Sequence, residues 1–125
     1  MNALTFLLLS FAGGVGAAAR LLIDGLIRSR VATAFPLGTT IINVTGSFLL
    51  GLITGLALSH FLPRDLQLIL GAGLMGGYTT FSTASFETIR LIQSRRYRAA
   101  LVNGLGMLVA AVAVAGLGLW IGSLL

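Results

Sequence analysis

The chain has 125 residues, of which 57% are hydrophobic and 9% are charged, with a mean hydropathy of +1.03. This composition is too apolar for a soluble domain of this length and predicts an integral membrane protein. The formal net charge of +5 comes from arginine alone, and the absence of cysteine excludes a disulfide framework and a thiolate metal site.

Four apolar stretches are long enough to cross a bilayer, since a spanning helix needs about 20 apolar residues. They cover residues 3–23, 37–58, 66–92 and 99–124. The first stretch is predicted to be a retained helix and not a cleaved signal, because no basic segment precedes it. We therefore predict an all-α protein whose four transmembrane helices form one domain over residues 1–125.

The arginines are distributed unevenly between the connections of these helices. If the helices alternate in direction, the first and third connections share one side of the membrane. The second connection carries only Arg64, whereas the first and third carry Arg28, Arg30, Arg95, Arg96 and Arg98. The positive-inside rule therefore predicts that the first and third connections are cytoplasmic and that both termini are outside. Nucleic-acid binding is not expected, because no soluble domain accompanies these arginines.

Glycines recur in all four stretches, and two pairs have the spacing typical of closely packed membrane helices. Gly51 and Gly55 are four residues apart, as are Gly73 and Gly77. Four short helices form only a thin bundle, so an ion path through one chain is sterically disfavoured. We therefore expect the chain to form a dimer.

The second stretch carries polar residues along one face. Thr39, Asn43 and Ser47 follow one another at intervals of four residues. Thr54 follows close to the same face, and hydrogen bonds between helices explain Ser47 and Thr54 most simply. The amide of Asn43 is different, because a buried amide without partners costs roughly 1 to 3 kcal/mol. Asn43 is therefore expected to have either a fixed protein partner or a ligand.

The third stretch contains the segment GGYTTFSTASFE, residues 76–87, in which a membrane helix is expected to break. Gly76 and Gly77 disfavour helix more than any residue except proline, so the break is predicted between Gly76 and Thr80. Inside a membrane, carbonyl groups freed by a break can bind a cation, and the N–H groups that open the next helix favour an anion. A kink closed by hydroxyl-to-carbonyl hydrogen bonds explains the segment equally well at this point.

The side chains of this segment favour an anion as the ligand. Ser82, Thr83 and Ser85 offer O–H donors, and the rings of Phe81 and Phe86 present electropositive edges. Such donors can replace the water around a small, strongly hydrated anion without binding it too tightly.

Three segments together resemble the signature segments of the Fluc (CrcB) fluoride channels, bacterial proteins of this length with four helices. They are GGVGAAAR ending at Arg20, GTTIINVTGSFLLG beginning at Gly38, and GGYTTFSTASFE beginning at Gly76. The resemblance covers the whole chain. It implies an antiparallel dimer in the bacterial inner (plasma) membrane, passive export of cytoplasmic fluoride that lowers its toxicity, and a structural sodium ion at the dimer centre.

The resemblance also assigns roles to individual residues. It implies that backbone carbonyls of Gly76 and Thr79 from each subunit hold the sodium ion. Arg20 matches an arginine near the end of the first helix and is expected to contribute to an electropositive vestibule. The residues that correspond to the fluoride pore are Asn43, Phe81, Ser82 and Thr83.

The chain departs from the pattern of this family at two places. Ala84 stands where most members have a second phenylalanine, and Phe86 is no obvious substitute because it lies about 200° around a helix from that position. The fourth helix carries a largely apolar stripe where the family tends to have polar residues, namely Asn103, Met107, Ala111 and Ala115. Together with the arginine bias, these departures indicate a heterodimer with an oppositely oriented homologue. A homodimer is an equally weighted alternative.

Other function classes fit the sequence less well. A small proton-coupled drug exporter needs a carboxylate within its first helix, and none precedes Asp24. An accessory subunit without transport of its own would use Asn43 and the break only to contact a partner. An enzyme is least expected, because the chain has no catalytic triad, metal cluster or nucleotide loop. Among the charged residues, Arg20 is spaced to pair with Asp24, and Glu87 is expected to meet water or an arginine such as Arg90.

Overall fold

The chain folds into five helices in the computed structural model, which describes residues 1–125 and contains no β-strand. They are α1 (Ala3–Arg30), α2 (Leu37–Leu58), α3 (residues 64–78), α4 (Phe81–Gln93) and α5 (Tyr97–Ser123). Within α3, the stretch Leu68–Met75 is π-helical, as is Val102–Gly106 within α5. The all-α prediction is confirmed, although α1 extends to Arg30 and not only to residue 23.

Local sequence signals explain where these helices begin and end. The side chain of Asn2 caps α1 by accepting a hydrogen bond of 2.8 Å from the Thr5 N–H. Pro36 precedes α2 and Pro63 precedes α3, positions at which the missing proline N–H has no helical partner to lose. The side chain of Thr80 caps α4 by accepting a hydrogen bond from the Thr83 N–H.

Three of the helices, α1, α2 and α5, are long and apolar enough to cross a membrane, with mean hydropathies of 1.9, 1.9 and 2.2. Only 17 of the 125 residues are buried within the chain, and large apolar side chains such as Phe11 and Trp120 are exposed. An exposed apolar surface of this extent indicates contact with lipid. The prediction of an integral membrane protein is therefore confirmed. The helices α3 and α4 are each too short to cross alone because the chain is not helical between them.

Neighbouring helices bring their connections together at two opposite ends. At one end, the Ser59 hydroxyl of the α2–α3 connection donates to the Gly122 carbonyl near the end of α5 at 3.3 Å. At the other end, Arg28 of α1 meets Glu87 of α4, and the α1–α2 and α4–α5 connections line one cavity. The α1–α2 and α4–α5 connections therefore share one end of the molecule, which we call the basic end. It carries Arg28, Arg30, Arg90, Arg95, Arg96 and Arg98, against Arg64 at the opposite end.

The most extensive helix contact, between α2 and α5, is made by glycines that bring the two backbones together. A methyl group on Gly51 would overlap the Ala115 carbonyl oxygen, and one on Gly55 would overlap the Leu119 carbonyl oxygen. From the opposite side, Gly118 lies against the Phe48 carbonyl oxygen. The close packing predicted from the spacing of Gly51 and Gly55 is confirmed, and it fixes the position of α2.

A second glycine contact holds α1 against α3. A methyl group on Gly77 would overlap the Gly13 carbonyl oxygen, and one on Gly73 would lie 2.7 Å from the Leu9 carbonyl oxygen. Gly16 of α1 returns the contact, since its methyl would lie 2.8 Å from the Tyr78 nitrogen. The predicted packing role of Gly73 and Gly77 is also confirmed.

The glycine contact between α2 and α5 can be tested with two substitutions in the same helix. In Gly118→Ala the added methyl meets the backbone of α2, including the Leu52 nitrogen at 2.8 Å, whereas Gly116 has no atom within 4 Å of this position. We expect Gly118→Ala to lower the free energy of unfolding by about 1 to 3 kcal/mol. Gly116→Ala should be neutral or slightly stabilising because alanine favours helix. Unfolding in detergent followed by circular dichroism measures both, and equal stability of the two variants would contradict this packing.

Candidate functional site

The helical path breaks at Thr79 and Thr80, which separate α3 from α4. Both residues are extended, with φ −82° and ψ 159° at Thr79 and φ −147° and ψ 120° at Thr80. The break lies at the end of the predicted range, whereas the glycine pair expected to cause it is helical. Gly77 serves a different purpose, because its missing side chain lets α3 approach α1.

The side chain of Asn43, on α2, bonds to both backbone polar groups of Thr80. Its Oδ1 accepts from the Thr80 N–H at 2.8 Å, and its Nδ2 donates to the Thr80 carbonyl at 2.8 Å. The Nδ2 also lies 3.3 Å from Met107 Sδ on α5. This paired contact, which we call the Asn43 clamp, gives the extended residue the partners that a helix would otherwise supply. Asn43 thus has the fixed protein partner that was one of its two expected roles.

The Asn43 clamp releases backbone carbonyls on the α3 side of the break. In an unbroken helix the Thr80 N–H would donate to the Gly76 carbonyl, but here it donates to Asn43. The Thr83 N–H, which would donate to the Thr79 carbonyl, donates instead to Thr80 Oγ1 at 3.2 Å. Gly76 is exposed and Thr79 is half-buried. Two carbonyls close together in the chain are therefore left without their helical donors.

The guanidinium of Arg20 lies against the same break. Its Nε donates to the Gly77 carbonyl at 3.4 Å, and its remaining N–H groups make no hydrogen bond within the chain. Arg20 is half-buried and forms no ion pair. The expected partnership between Arg20 and Asp24 is therefore not made, and a positive charge with free donors remains beside the broken helix.

A cavity of about 300 Å³ opens beside the Asn43 clamp, between α2, α4 and α5. Asn43 and Phe81 both line it, so the structure brings these two predicted pore residues together. Phe81 is 87% exposed, which leaves most of its ring without contacts in the single chain. The other polar residues on its walls are Ser47, Thr79, Thr80, Ser85, Thr88 and Asn103. The hydroxyls of Ser47 and Ser85 make no hydrogen bond within the chain.

The other two predicted pore residues, Ser82 and Thr83, do not line this cavity in the single chain. Ser82 is exposed, and its hydroxyl lies 3.4 Å from Thr80 Oγ1. The Thr83 hydroxyl accepts from Thr80 Oγ1 at 3.1 Å. Both therefore stand beside the break but outside the cavity. Ala84, the position that departs from the family pattern, does line the cavity.

Asn103 is the most deeply buried polar residue at the cavity, with 1% of its surface exposed. Its Nδ2 donates to Thr88 Oγ1 at 2.8 Å and to the Ala84 carbonyl at 3.3 Å, while its Oδ1 has no partner. The sequence indicated Asn103 only as one member of a weak stripe. Its contact with α4 joins two helices and could not be read from the spacing along one of them. Asn103 lies in the π-helical stretch of α5.

A charged cluster joins α1, α2 and α4 near the basic end. Arg28 donates to Asp24 Oδ2 at 2.9 Å and to Glu87 Oε2 at 3.5 Å, and the Thr39 hydroxyl donates to Glu87 Oε1 at 2.5 Å. The expected contact of Glu87 with an arginine is made by Arg28 and not by Arg90. Arg90 instead lies over the Phe86 ring, 5.8 Å from its centre. The sequence analysis did not predict these contacts of Arg28, because it paired Asp24 with Arg20 and named Arg90 for Glu87.

The Asn43 clamp can be tested by removing its amide. Asn43→Ala leaves the Thr80 N–H and carbonyl without partners. The free energy of local opening at the break should therefore fall by about 1 to 3 kcal/mol. We expect amide exchange at Thr80 to accelerate on the order of tenfold to a hundredfold, as measured by hydrogen–deuterium exchange in detergent. Ser47→Ala is the matched control, one turn along the same face, and should leave Thr80 exchange unchanged. Unchanged exchange in Asn43→Ala would show that the clamp does not hold the break.

Comparison with known proteins gives, along almost the entire chain, the family that the sequence segments resemble. The family described as CrcB-like protein, Camphor Resistance (CrcB), matches residues 7–119. The chain is 60% identical over 124 residues to the fluoride-specific ion channel FluC 1 of Leifsonia xyli subsp. xyli, covering 99% of this chain and 90% of that protein.

Two further relatives extend this similarity to other bacteria. The identity is 49% over 121 residues with the fluoride-specific ion channel FluC 2 of Cutibacterium acnes, covering 96% of this chain and 98% of that protein. The identity is 40% over 119 residues with the fluoride-specific ion channel FluC of Geobacter sulfurreducens, covering 94% of this chain and 93% of that protein. The chain therefore belongs to the CrcB family, a family of ion channels and not of enzymes.

Proposed function

We propose that this chain forms a fluoride-specific ion channel in the bacterial inner membrane and exports cytoplasmic fluoride passively. The observation that carries the proposal is the Asn43 clamp, which holds a membrane helix open beside a cavity lined by hydroxyl and amide groups. The three relatives described above are all named fluoride-specific ion channels, which agrees with this function. Passive release would lower the toxicity of fluoride that enters the cell.

The channel is a dimer of oppositely oriented subunits in this proposal. Polar backbone at membrane depth is tolerated only where protein or water covers it, yet Gly76 and Ser82 are exposed beside the break. Phe81, with 87% of its surface exposed, also needs a neighbour if it is to act in a pore. A second subunit that packs against this face would cover all three residues.

Together, α3 and α4 make the fourth membrane crossing in this proposal. The helix α3 begins beside the α2–α3 connection, and α4 ends at the basic end, where Ser94 and Phe35 line the same cavity. The pair therefore joins opposite ends of the molecule, as a single spanning helix would. Residues 64–93 span about 45 Å at helical rise, enough for a bilayer even with the break. The basic end is cytoplasmic by the positive-inside rule.

A structural sodium ion at the dimer centre fits the groups that the break leaves free. The carbonyls of Gly76 and Thr79 have lost their helical donors, and hard cations prefer oxygen ligands of this kind. The two residues from each subunit would hold the ion, which supplies positive charge that balances the carbonyl dipoles. The chain's own contribution is to keep these carbonyls free, which the Asn43 clamp and the Thr80 cap of α4 do.

Fluoride would pass along the α4 side of the break. Hydroxyl groups that lack strong partners, on Ser47, Ser82 and Ser85, can donate to the anion in place of water. Thr83 can rotate its hydroxyl toward the same path, and the Phe81 ring presents its edge. Arg20, with free N–H groups near Gly77, raises the local anion concentration as part of a vestibule. Asn43 belongs to both the clamp and the cavity, since it lines the cavity while its Nδ2 donates to the Thr80 carbonyl.

The partner subunit is either a second copy of this chain or an oppositely oriented homologue. The distribution of arginines favours a homologue, because six at one end against one at the other should select a single orientation. Met107 also favours a homologue as the partner. Its sulfur contacts Asn43 Nδ2 and so occupies a donor that a pore could use. A drug exporter is disfavoured, since Asp24 is engaged by Arg28.

Fluoride efflux from liposomes that contain the purified chain tests the channel. Efflux that follows an imposed potassium gradient and excludes chloride is the expected result. Phe81→Ala should reduce the rate about tenfold, equivalent to about 1.4 kcal/mol of barrier. Phe11→Ala is the matched control, because Phe11 is also an exposed phenylalanine, at 72%, and lies on α1. Efflux that passes chloride as readily as fluoride would overturn the proposal.

Adding a homologue distinguishes the two possible partners. Efflux from the chain alone, with cross-linked self-dimers in the membrane, would establish the homodimer and exclude an obligate heterodimer. Efflux only after co-reconstitution with an oppositely oriented homologue would establish the heterodimer. No fluoride-selective efflux in either case would leave the chain as an accessory subunit and contradict the proposed function.

A further inference from the structure

The basic end contains a second cavity that shares no lining residue with the one beside the Asn43 clamp. Its volume is about 610 Å³, and it lies where the α1–α2 and α4–α5 connections meet. We call it the basic cavity, because three of its lining residues are arginines, Arg28, Arg90 and Arg96. We infer that the basic cavity binds the phosphate headgroup of an anionic phospholipid from the membrane.

The basic cavity keeps a net positive charge that no protein carboxylate neutralises. Glu87 is the single acidic residue on its wall, and it is engaged together with Asp24 by Arg28. Arg90 and Arg96 form no ion pair within the chain. Arg90 and Arg96 therefore line one cavity without a carboxylate at ion-pair distance, and the Arg90 guanidinium also lies over the Phe86 ring. A planar guanidinium binds phosphate oxygens with two parallel hydrogen bonds, so phosphate is the chemistry that these residues match.

The backbone near Arg96 adds to this preference. Arg96 is the residue that precedes α5, and no side chain caps the first turn of this long helix. The N-terminus of a helix carries partial positive charge and free N–H groups. Arg96 thus brings its own charge to the place where the backbone already favours an anion. Ser94 also lies on the cavity wall, but its hydroxyl donates to the Leu91 carbonyl at 3.1 Å.

The remaining walls favour a lipid over a free phosphate ion. Beside the arginines, the cavity is lined by apolar residues of α1, the α1–α2 connection, α2 and α4, namely Ile27, Val31, Phe35, Leu37 and Leu91. These can contact the glycerol and the first methylenes of a phospholipid, whereas inorganic phosphate would leave them unused. The cavity also lies at an end of the membrane-spanning helices, the depth at which headgroups occur. Basic pockets between helices on the cytoplasmic side suit anionic headgroups.

Native mass spectrometry of the intact protein, released from detergent with added phosphatidylglycerol or phosphatidylcholine, tests this site. The wild-type chain should retain phosphatidylglycerol in preference to phosphatidylcholine. The double variant Arg90→Gln, Arg96→Gln should lose about tenfold in retained phosphatidylglycerol, and each single variant should lose less. Arg95→Gln is the matched control, because Arg95 carries the same charge in the same turn but does not line the cavity. It should retain the lipid almost as well as the wild type.

Three results would overturn the inference. They are equal retention of phosphatidylglycerol and phosphatidylcholine by the wild type, an equal loss in Arg95→Gln and in the double variant, and displacement of the lipid by millimolar inorganic phosphate. The last result would assign the cavity to a free anion. Circular dichroism and size-exclusion chromatography check that each variant is folded. If the double variant fails to fold, the single variants Arg90→Gln and Arg96→Gln decide the outcome against Arg95→Gln.

Discussion

The two hydrogen bonds between the Asn43 amide and the backbone of Thr80 are the interaction on which this structure depends. A membrane helix cannot open unless its freed N–H and carbonyl groups find partners, because lipid supplies none. Asn43 supplies one donor and one acceptor to the same extended residue, each at 2.8 Å. The break therefore depends on two helices, because α2 provides the hydrogen-bond partners that Thr80 would have in a continuous helix.

Asn43 can do this only because α2 is held in one position. The contacts of Gly51, Gly55 and Gly118 bring the backbones of α2 and α5 together without large side chains between them. On the other side of the molecule, Gly77 and Gly13 fix α3 against α1. The glycines that make up much of the small buried core thus set the distance across which the amide reaches Thr80. The clamp therefore depends on the packing, since a shift of either helix pair would move Asn43 away from Thr80.

Much of this arrangement could be predicted from composition and spacing, and some of it could not. The apolar stretches indicated the membrane helices, and the four-residue glycine intervals indicated their contacts, because both depend on local periodicity. The position of the break was less predictable: Gly76 and Gly77 disfavour helix, but Gly77 packs on α1, and the tertiary contact with Asn43 moves the interruption to Thr79 and Thr80. The contact of Arg28 with Glu87 was missed for the same reason, since it joins α1 to α4, whereas the pair of Arg28 with Asp24 lies within α1 at a four-residue spacing.

The break offers two kinds of polar group, and the proposed transport function depends on both. In that proposal the carbonyls freed at Gly76 and Thr79 would hold a cation, and the hydroxyl and amide groups around the cavity would pass an anion. The most direct test is the fluoride efflux of Asn43→Ala in the assembly that conducts, at matched protein density in liposomes. The account predicts that efflux is lost although the protein remains folded and keeps the size of the conducting assembly. Efflux at the wild-type rate would contradict it, because the path would then not depend on the clamp.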